Sequence, residues 1–190
     1  MDQEIIRKLE AEAKRQQRHS GCHGYEHTER VIEICKQLGA QLGADMDILL
    51  PAAILHDIRR GEEDHAERSA IEAANALKMA GCEPEKAALI CEAIRSHSFS
   101  SRRVARTLEA MILSDADKLD AMGAVGVYRT ALYSGELKRP INEFVEHFYE
   151  KLFKLKDMLY TNEARLLAEN RHRYMLGYLD EFLRELRVEA

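Results

Sequence analysis

An all-α, single-domain helical bundle is the fold this sequence predicts, and three observations carry that reading. Only three prolines interrupt 190 residues. Runs of β-branched residues are few, so the composition leans helical. Apolar side chains recur at spacings of three and four, the period of an amphipathic helix. With 46% of residues apolar, the chain can bury a real core, and its length suits one domain spanning 1–190.

The elements follow in order. Residues 3–18 form a charged amphipathic helix with a thin apolar edge of Ile5, Ile6 and Leu9. The His-rich stretch 18–24 ends it as a loop. A helix from about Tyr25 to Leu38 carries Val31, Ile34, Cys35 and Leu38 on one stripe, and Gly39 and Gly43 break it. The next covers about Met46 to His56, with Pro51 in its opening turns, where a missing N–H is tolerated. Gly61 ends the segment that follows Arg59 and Arg60. His65 to Ala80 is a helix closed by Gly81. Pro84 opens another that ends near His97, and 98–103 is a polar loop. A long apolar segment runs from about Val104 to Tyr133, where Gly123 and Gly126 permit close helix contacts or a kink. Pro140 opens a helix to about Tyr160. Thr161 caps the last helix, in which Met175, Leu179, Phe182 and Leu186 form one stripe. No segment reads as a strand. The chemistry-bearing core is about 20–135, with the helices of 140–187 packing on it.

Several function classes drop out. The net charge is −5 and no basic block stands out, so a face for duplex nucleic acid is not indicated. A small anionic substrate can still bind where local positive charge outweighs the global sign. No apolar run approaches 18 residues and no apolar leader follows the N-terminus, which predicts a cytoplasmic protein without membrane association. Cys22, Cys35, Cys82 and Cys91 lack Cys-x-x-Cys spacing and read as reduced thiols of the core.

One dipeptide, His56-Asp57, points to chemistry. His27 precedes it and Asp117 follows, so two imidazoles and two carboxylates stand on three separate apolar segments. That set suits one divalent cation, and a borderline metal such as Mn, Fe, Ni or Zn better than Ca. Adjacent His and Asp side chains cannot lie parallel on one helix face, but they can converge where a helix ends. Asp115 and Asp120 compete with Asp117 on spacing alone. His23 shares a face with His27 only if the helix starts early, and Gly24 argues against that. His147 and His172 carry no motif and read as solvated.

The ordered segments Tyr25-Glu26-His27-Thr28-Glu29-Arg30-Val31, Leu55-His56-Asp57-Ile58, Ile94-Arg95-Ser96-His97-Ser98-Phe99-Ser100 and Asp115-Ala116-Asp117-Lys118-Leu119-Asp120 resemble the HD-domain metal-dependent phosphohydrolase superfamily, and in particular its small stand-alone branch. The resemblance implies a metal held by His27, His56, Asp57 and Asp117, because the family's last ligand directly precedes the basic residue of its motif, here Lys118. It implies catalytic roles for Asp57, Lys118, His65 and His97, and substrate contacts from Arg30, His65, His97 and Lys118. His65 and His97 would hold a second ion, contact phosphate or supply a proton. Lys118 would steady phosphoryl charge, unless it is an ordinary surface lysine. Arg59-Arg60 and Arg102-Arg103 could gather phosphates but read as surface charge. The ion, Mn, Fe, Ni, Mg or Zn, would activate a water for attack on a small phosphate ester or anhydride, best a nucleotide mono- or triphosphate. Alternatives are a cyclic-nucleotide or nucleic-acid-end phosphodiesterase and, from another class, a non-catalytic nucleotide or metal sensor. His97-Ser98 stands where the cyclic-dinucleotide phosphodiesterases carry paired histidines, which argues against that branch. Whether the protein acts alone or as a homodimer is open.

Overall fold

A computed structural model describes residues 1–17, 24–99 and 103–188, and those residues are helical with no strand. The chain divides into two compact units, Met1–Asp117 and Lys118–Ala190.

The first unit contains α1 (Gln3–Gln16), α2 (Tyr25–Leu42), α3 (Met46–Leu55), α4 (His65–Ala80), α5 (Pro84–Ser96) and most of α6 (Leu108–Asp120). Its helix ends are written in the sequence. Asp2 accepts from the Glu4 N–H at 2.9 Å, and Asp45 accepts from that of Asp47 at 2.8 Å, so each satisfies an orphaned donor. Pro84 occupies the first turn of α5. Gly43 and Gly81 close α2 and α4 in the left-handed region, with φ of 71° and 83°.

Helix α3 is apolar on nearly every side. Ile48, Leu49, Pro51, Ala52, Ala53, Ile54 and Leu55 are all buried. A helix buried along most of its length runs through the middle of its unit, and only Met46, Asp47 and Leu50 are half-exposed. It packs against α1, α2 and α5, while α4 packs on α5. From α2, Val31, Cys35 and Leu38 meet the core fully buried, as their spacing predicts. The central helix ends at Leu55, so its rigid end delivers His56 and Asp57.

The second unit holds α7 (Gly123–Glu136), α8 (Ile141–Glu150), a 3₁₀ segment (Leu152–Met158) and α9 (Asn162–Leu186). The Thr161 hydroxyl accepts from the Ala164 N–H at 3.3 Å, the predicted cap. Met175 and Leu179 are buried on α9, and α7 packs on it. Phe144, Phe148, Phe153, Tyr178 and Phe182 form a chain of aromatic contacts with centroids 5.3 to 6.1 Å apart.

Four local expectations are corrected. Gly39 does not break α2 but lies buried inside it, because a bare Cα lets Leu49 and Met46 close in; a Cβ there would meet both at 2.8 Å. Pro51 sits in the interior of α3 rather than its opening turns. The long segment from Val104 is two helices, not one kinked helix. Met122 is extended and Gly123 takes φ of 72°, so the chain stops at Asp120 and restarts at Gly123. The helix expected to reach Tyr160 ends at Glu150, where Lys151 leaves helical angles, and continues as the 3₁₀ segment.

Cys35 and Cys91 are buried free thiols, and burial pushes the Cys35 thiol far above its ordinary value. Cys82 is half-buried, and Cys22 lies outside the described residues. His147 and His172 are half-buried rather than fully solvated, and the His172 ring packs edge-on to Phe153 at 5.4 Å with its Nδ1 buried. Among the described residues no helix is long and apolar enough to cross a membrane.

Two glycines give a paired test. A Cβ on Gly126 would lie 2.3 Å from the Ala121 carbonyl oxygen, whereas one on Gly177, inside α9, meets nothing within 4 Å. Gly126→Ala should cost about 1–3 kcal/mol by overpacking against backbone. Gly177→Ala should add roughly 0.5–1 kcal/mol by helix propensity. Urea unfolding midpoints of the two variants check both signs.

Candidate metal centre

Five helix ends bring the site residues of the first unit together. His27 stands in the first turn of α2, and the N–H of His27 donates to the Gly24 carbonyl at 2.9 Å. His56 is the C-cap of α3 and His97 that of α5. His65 is the first residue of α4, and Asp117 lies on α6. Asp57 follows His56 in a turn, closed by the Arg60 N–H donating to the Asp57 carbonyl at 3.0 Å. The turn lets adjacent His and Asp side chains face one point, as a continuing helix would not.

The two capping histidines are oriented by the same device. His56 Nδ1 is 2.8 Å from the Ala53 carbonyl, and His97 Nδ1 is 2.6 Å from that of Ile94. A carbonyl only accepts, so each Nδ1 carries the proton and donates. The bond satisfies a carbonyl left without an amide partner at a helix end. It also leaves each Nε2 with a lone pair aimed inward, the form in which imidazole binds metal.

Those lone pairs meet carboxylates. His27 Nε2 is 3.2 Å from His56 Nε2, 3.3 Å from Asp117 Oδ1 and 3.6 Å from Asp57 Oδ2. His56 Nε2 is 3.9 Å from Asp57 Oδ2. Across the same carboxylate, Asp57 Oδ1 is 3.5 Å from His97 Nε2 and 3.6 Å from His65 Nε2. His56, Asp57 and His97 are sealed from solvent and His27 nearly so, while Asp117 is the most open of the set.

Burial pushes His56 and His65 down to about 4, so both imidazoles are neutral near neutral pH. For Asp57, burial works upward, but Arg60 and the surrounding imidazoles outweigh it and hold the carboxyl well below its ordinary range. For Asp117, burial again works upward and His27 outweighs it.

The donor set fits a cation. His97 Nε2 is buried with no hydrogen-bond partner, which is costly unless a Lewis acid or proton meets it. Ligand atoms about 2.0–2.2 Å from one ion stand roughly 3–3.5 Å from each other. His27 Nε2 stands at that spacing from His56 Nε2 and Asp117 Oδ1, and His56, Asp57 and His97 offer ligand atoms within 4.8 Å of one another.

The carboxylates that compete on sequence separate here. Asp120 is buried in an ion pair with Arg129 at 2.7 Å. Asp115 is buried and joins neither group of metal donors. Arg30 lies on α2 three residues beyond His27, on the same face, and is half-buried. Lys118 is buried, not an ordinary surface lysine, with its ammonium 5.7 Å from the centre of the Tyr160 ring. His23 and Arg102 lie outside the described residues.

One residue of the cluster was not expected there. Of the basic pairs, Arg59 is spent on Glu72 at 2.9 Å, and Arg103 on Glu67 at 3.2 Å. Arg60, read as surface charge, instead turns its guanidinium to Asp57 at 3.4 Å and to His65 Nε2 at 3.0 Å. Its spacing of three from Asp57 was the available signal, since a turn places those side chains together.

An α-helical scaffold that sets His-Asp at one helix end, with single His and Asp donors on two others, defines a protein of the HD type. The HD-domain family model matches residues 24–122, about half of the chain, and this chain belongs to that family. It is 34% identical to the Bacillus subtilis protein YpgQ over 176 residues, covering 88% of this chain and 86% of that one. The crystal structure of YpgQ in complex with ADP superposes with a TM-score of 0.80 at 32% identity, covering 93% of this chain and 97% of that one. An HD-superfamily hydrolase from Bacillus thuringiensis superposes at 0.79 with 32% identity, over 98% and 99% of the two chains. The fold is thus that of the HD-superfamily hydrolases.

The two aspartates of α6 give a discriminating test. Asp117→Asn should weaken Mn²⁺ binding at least about tenfold in calorimetric titration. Asp120→Asn should leave that binding intact and lower stability by about 1–3 kcal/mol, through its broken pair with Arg129.

Proposed function

We propose that this protein is a divalent-metal-dependent phosphohydrolase acting on a small phosphate ester or anhydride, with a nucleotide mono- or triphosphate as substrate. The observation that carries the reading is the convergence of His56, Asp57 and Asp117 on His27, whose Nε2 lies 3.2 Å from His56 Nε2, 3.3 Å from Asp117 Oδ1 and 3.6 Å from Asp57 Oδ2. These four would hold the ion, of which Mn, Fe, Ni, Mg and Zn are the candidates, the imidazoles favouring a borderline metal. When bound, the ion supplies a Lewis acid for phosphoryl oxygen and acidifies water for attack on phosphorus.

The chain's own residues supply the rest. Neutral His56 hands its Nε2 lone pair to the ion without competition from protons, and His27 Nε2 faces the same point 3.2 Å away. His97 Nε2, a buried lone pair with no donor against it, is the atom able to take a proton from the attacking water. His65 and Arg60 flank the same carboxylate and can meet phosphate oxygens. Lys118 directly follows Asp117, and its ammonium would offset charge that develops on the phosphoryl group. Arg30, one turn beyond His27, would bind phosphate. That YpgQ was crystallised with ADP supports the nucleotide as the substrate class.

Protein reconstituted with Mn²⁺ should release phosphate or pyrophosphate from a panel of nucleoside mono- and triphosphates and cyclic nucleotides, read by chromatography. His56→Ala and Asp57→Ala should lose turnover to background while keeping the helical circular-dichroism signal. Lys118→Ala should keep its metal and lose about 100-fold in kcat/KM. A rise confined to KM would assign Lys118 to uniform phosphate binding. Nucleotide binding with no product from any substrate would favour a nucleotide sensor instead.

A further inference from the structure

The Asp57 carboxylate has two sides. Oδ2 faces His27 and His56, and Oδ1 faces His65 and His97 at 3.6 and 3.5 Å. The His65 and His97 rings stand 5.6 Å apart between centroids. Two imidazoles and a carboxylate oxygen are themselves a donor set for a cation. The buried, unpartnered Nε2 of His97 points into it.

A cation is already in that place, and the chain supplies it. Arg60 Nη1 lies 3.0 Å from His65 Nε2, and 3.5 and 3.4 Å from the two Asp57 oxygens. A guanidinium only donates, so His65 Nε2 accepts from it and its lone pair is used. The tight turn from Asp57 to Arg60 brings the charge round to the carboxylate. Arginine cannot yield by losing its proton, as a lysine in the same place could. A divalent ion on this side would therefore have to displace the guanidinium or bear its repulsion at contact distance.

We propose that Arg60 is a built-in cation that holds the place of a second divalent ion. The protein as it stands takes one ion per chain. Removing the guanidinium opens a second position formed by Asp57, His65 and His97, with Asp57 shared between the two. This inference rests on reading His27, His56, Asp57 and Asp117 as the metal centre.

The test counts ions and needs no substrate. Chelator-stripped full-length protein is reloaded with Mn²⁺ alone, freed of excess, and assayed by elemental analysis per chain. The wild type should hold one ion. Arg60→Gln and Arg60→Ala should each hold two, and Arg60→Gln combined with His97→Ala should return to one. Two variants at Arg60, each with its helical content checked by circular dichroism, guard against a single misfolded protein. A single ion in both folded Arg60 variants, or two ions in the wild type, overturns the role of Arg60 while leaving the metal centre standing. No ion in the wild type overturns the metal centre and this inference with it.

Discussion

The ionised Asp57 carboxylate is the constraint around which the first unit is organised. A carboxylate sealed from water is unfavourable unless its charge is met by partners. Here four imidazoles and one guanidinium meet it, at 3.4 to 3.9 Å. No partner is close enough to neutralise it as a tight ion pair, so the carboxylate keeps its charge and its lone pairs. A group held in that condition can serve as a ligand as well as a structural anchor.

Helix ends make this arrangement affordable. The C-terminal ends of α3 and α5 carry carbonyls without amide partners, and His56 and His97 each satisfy one with Nδ1. One hydrogen bond thus completes a helix and fixes a tautomer. The partial negative charge of those ends also favours a cation nearby. Opposite them, His27 and His65 stand at helix N-termini, where the partial charge favours an anion such as phosphate. The largely apolar α3 then matters for more than stability, because the unbroken burial from Pro51 to Leu55 leaves its C-terminal end little freedom to move.

Much of this was legible in the sequence. His65 to Ala80 and Pro84 to Ser96 were marked by Gly81 and Pro84, whose backbone roles are local. His27, His56, Asp57, Asp117, His65 and His97 were singled out by motif order, and the first unit brings all six together. What escaped depended on partners remote in sequence or on backbone detail. Gly39 looked like a breaker because its close neighbours, Met46 and Leu49, belong to the next helix. Gly123 looked like a kink because its periodic apolar flanks hid the positive φ that splits α6 from α7. Arg59 and Arg60 are identical by composition, and only the turn after Asp57 sends one to Glu72 and the other to the carboxylate.

One metal ion held by His27, His56, Asp57 and Asp117 is the proposal on which the rest depends. Crystals of Mn²⁺-loaded protein, measured on both sides of the manganese absorption edge, test it without reference to any substrate. One strong anomalous peak bounded by His27 Nε2, His56 Nε2, Asp57 and Asp117 is the expected result. A peak held instead by cysteines or by surface carboxylates, with these four residues left in hydrogen bonds to one another, would contradict it.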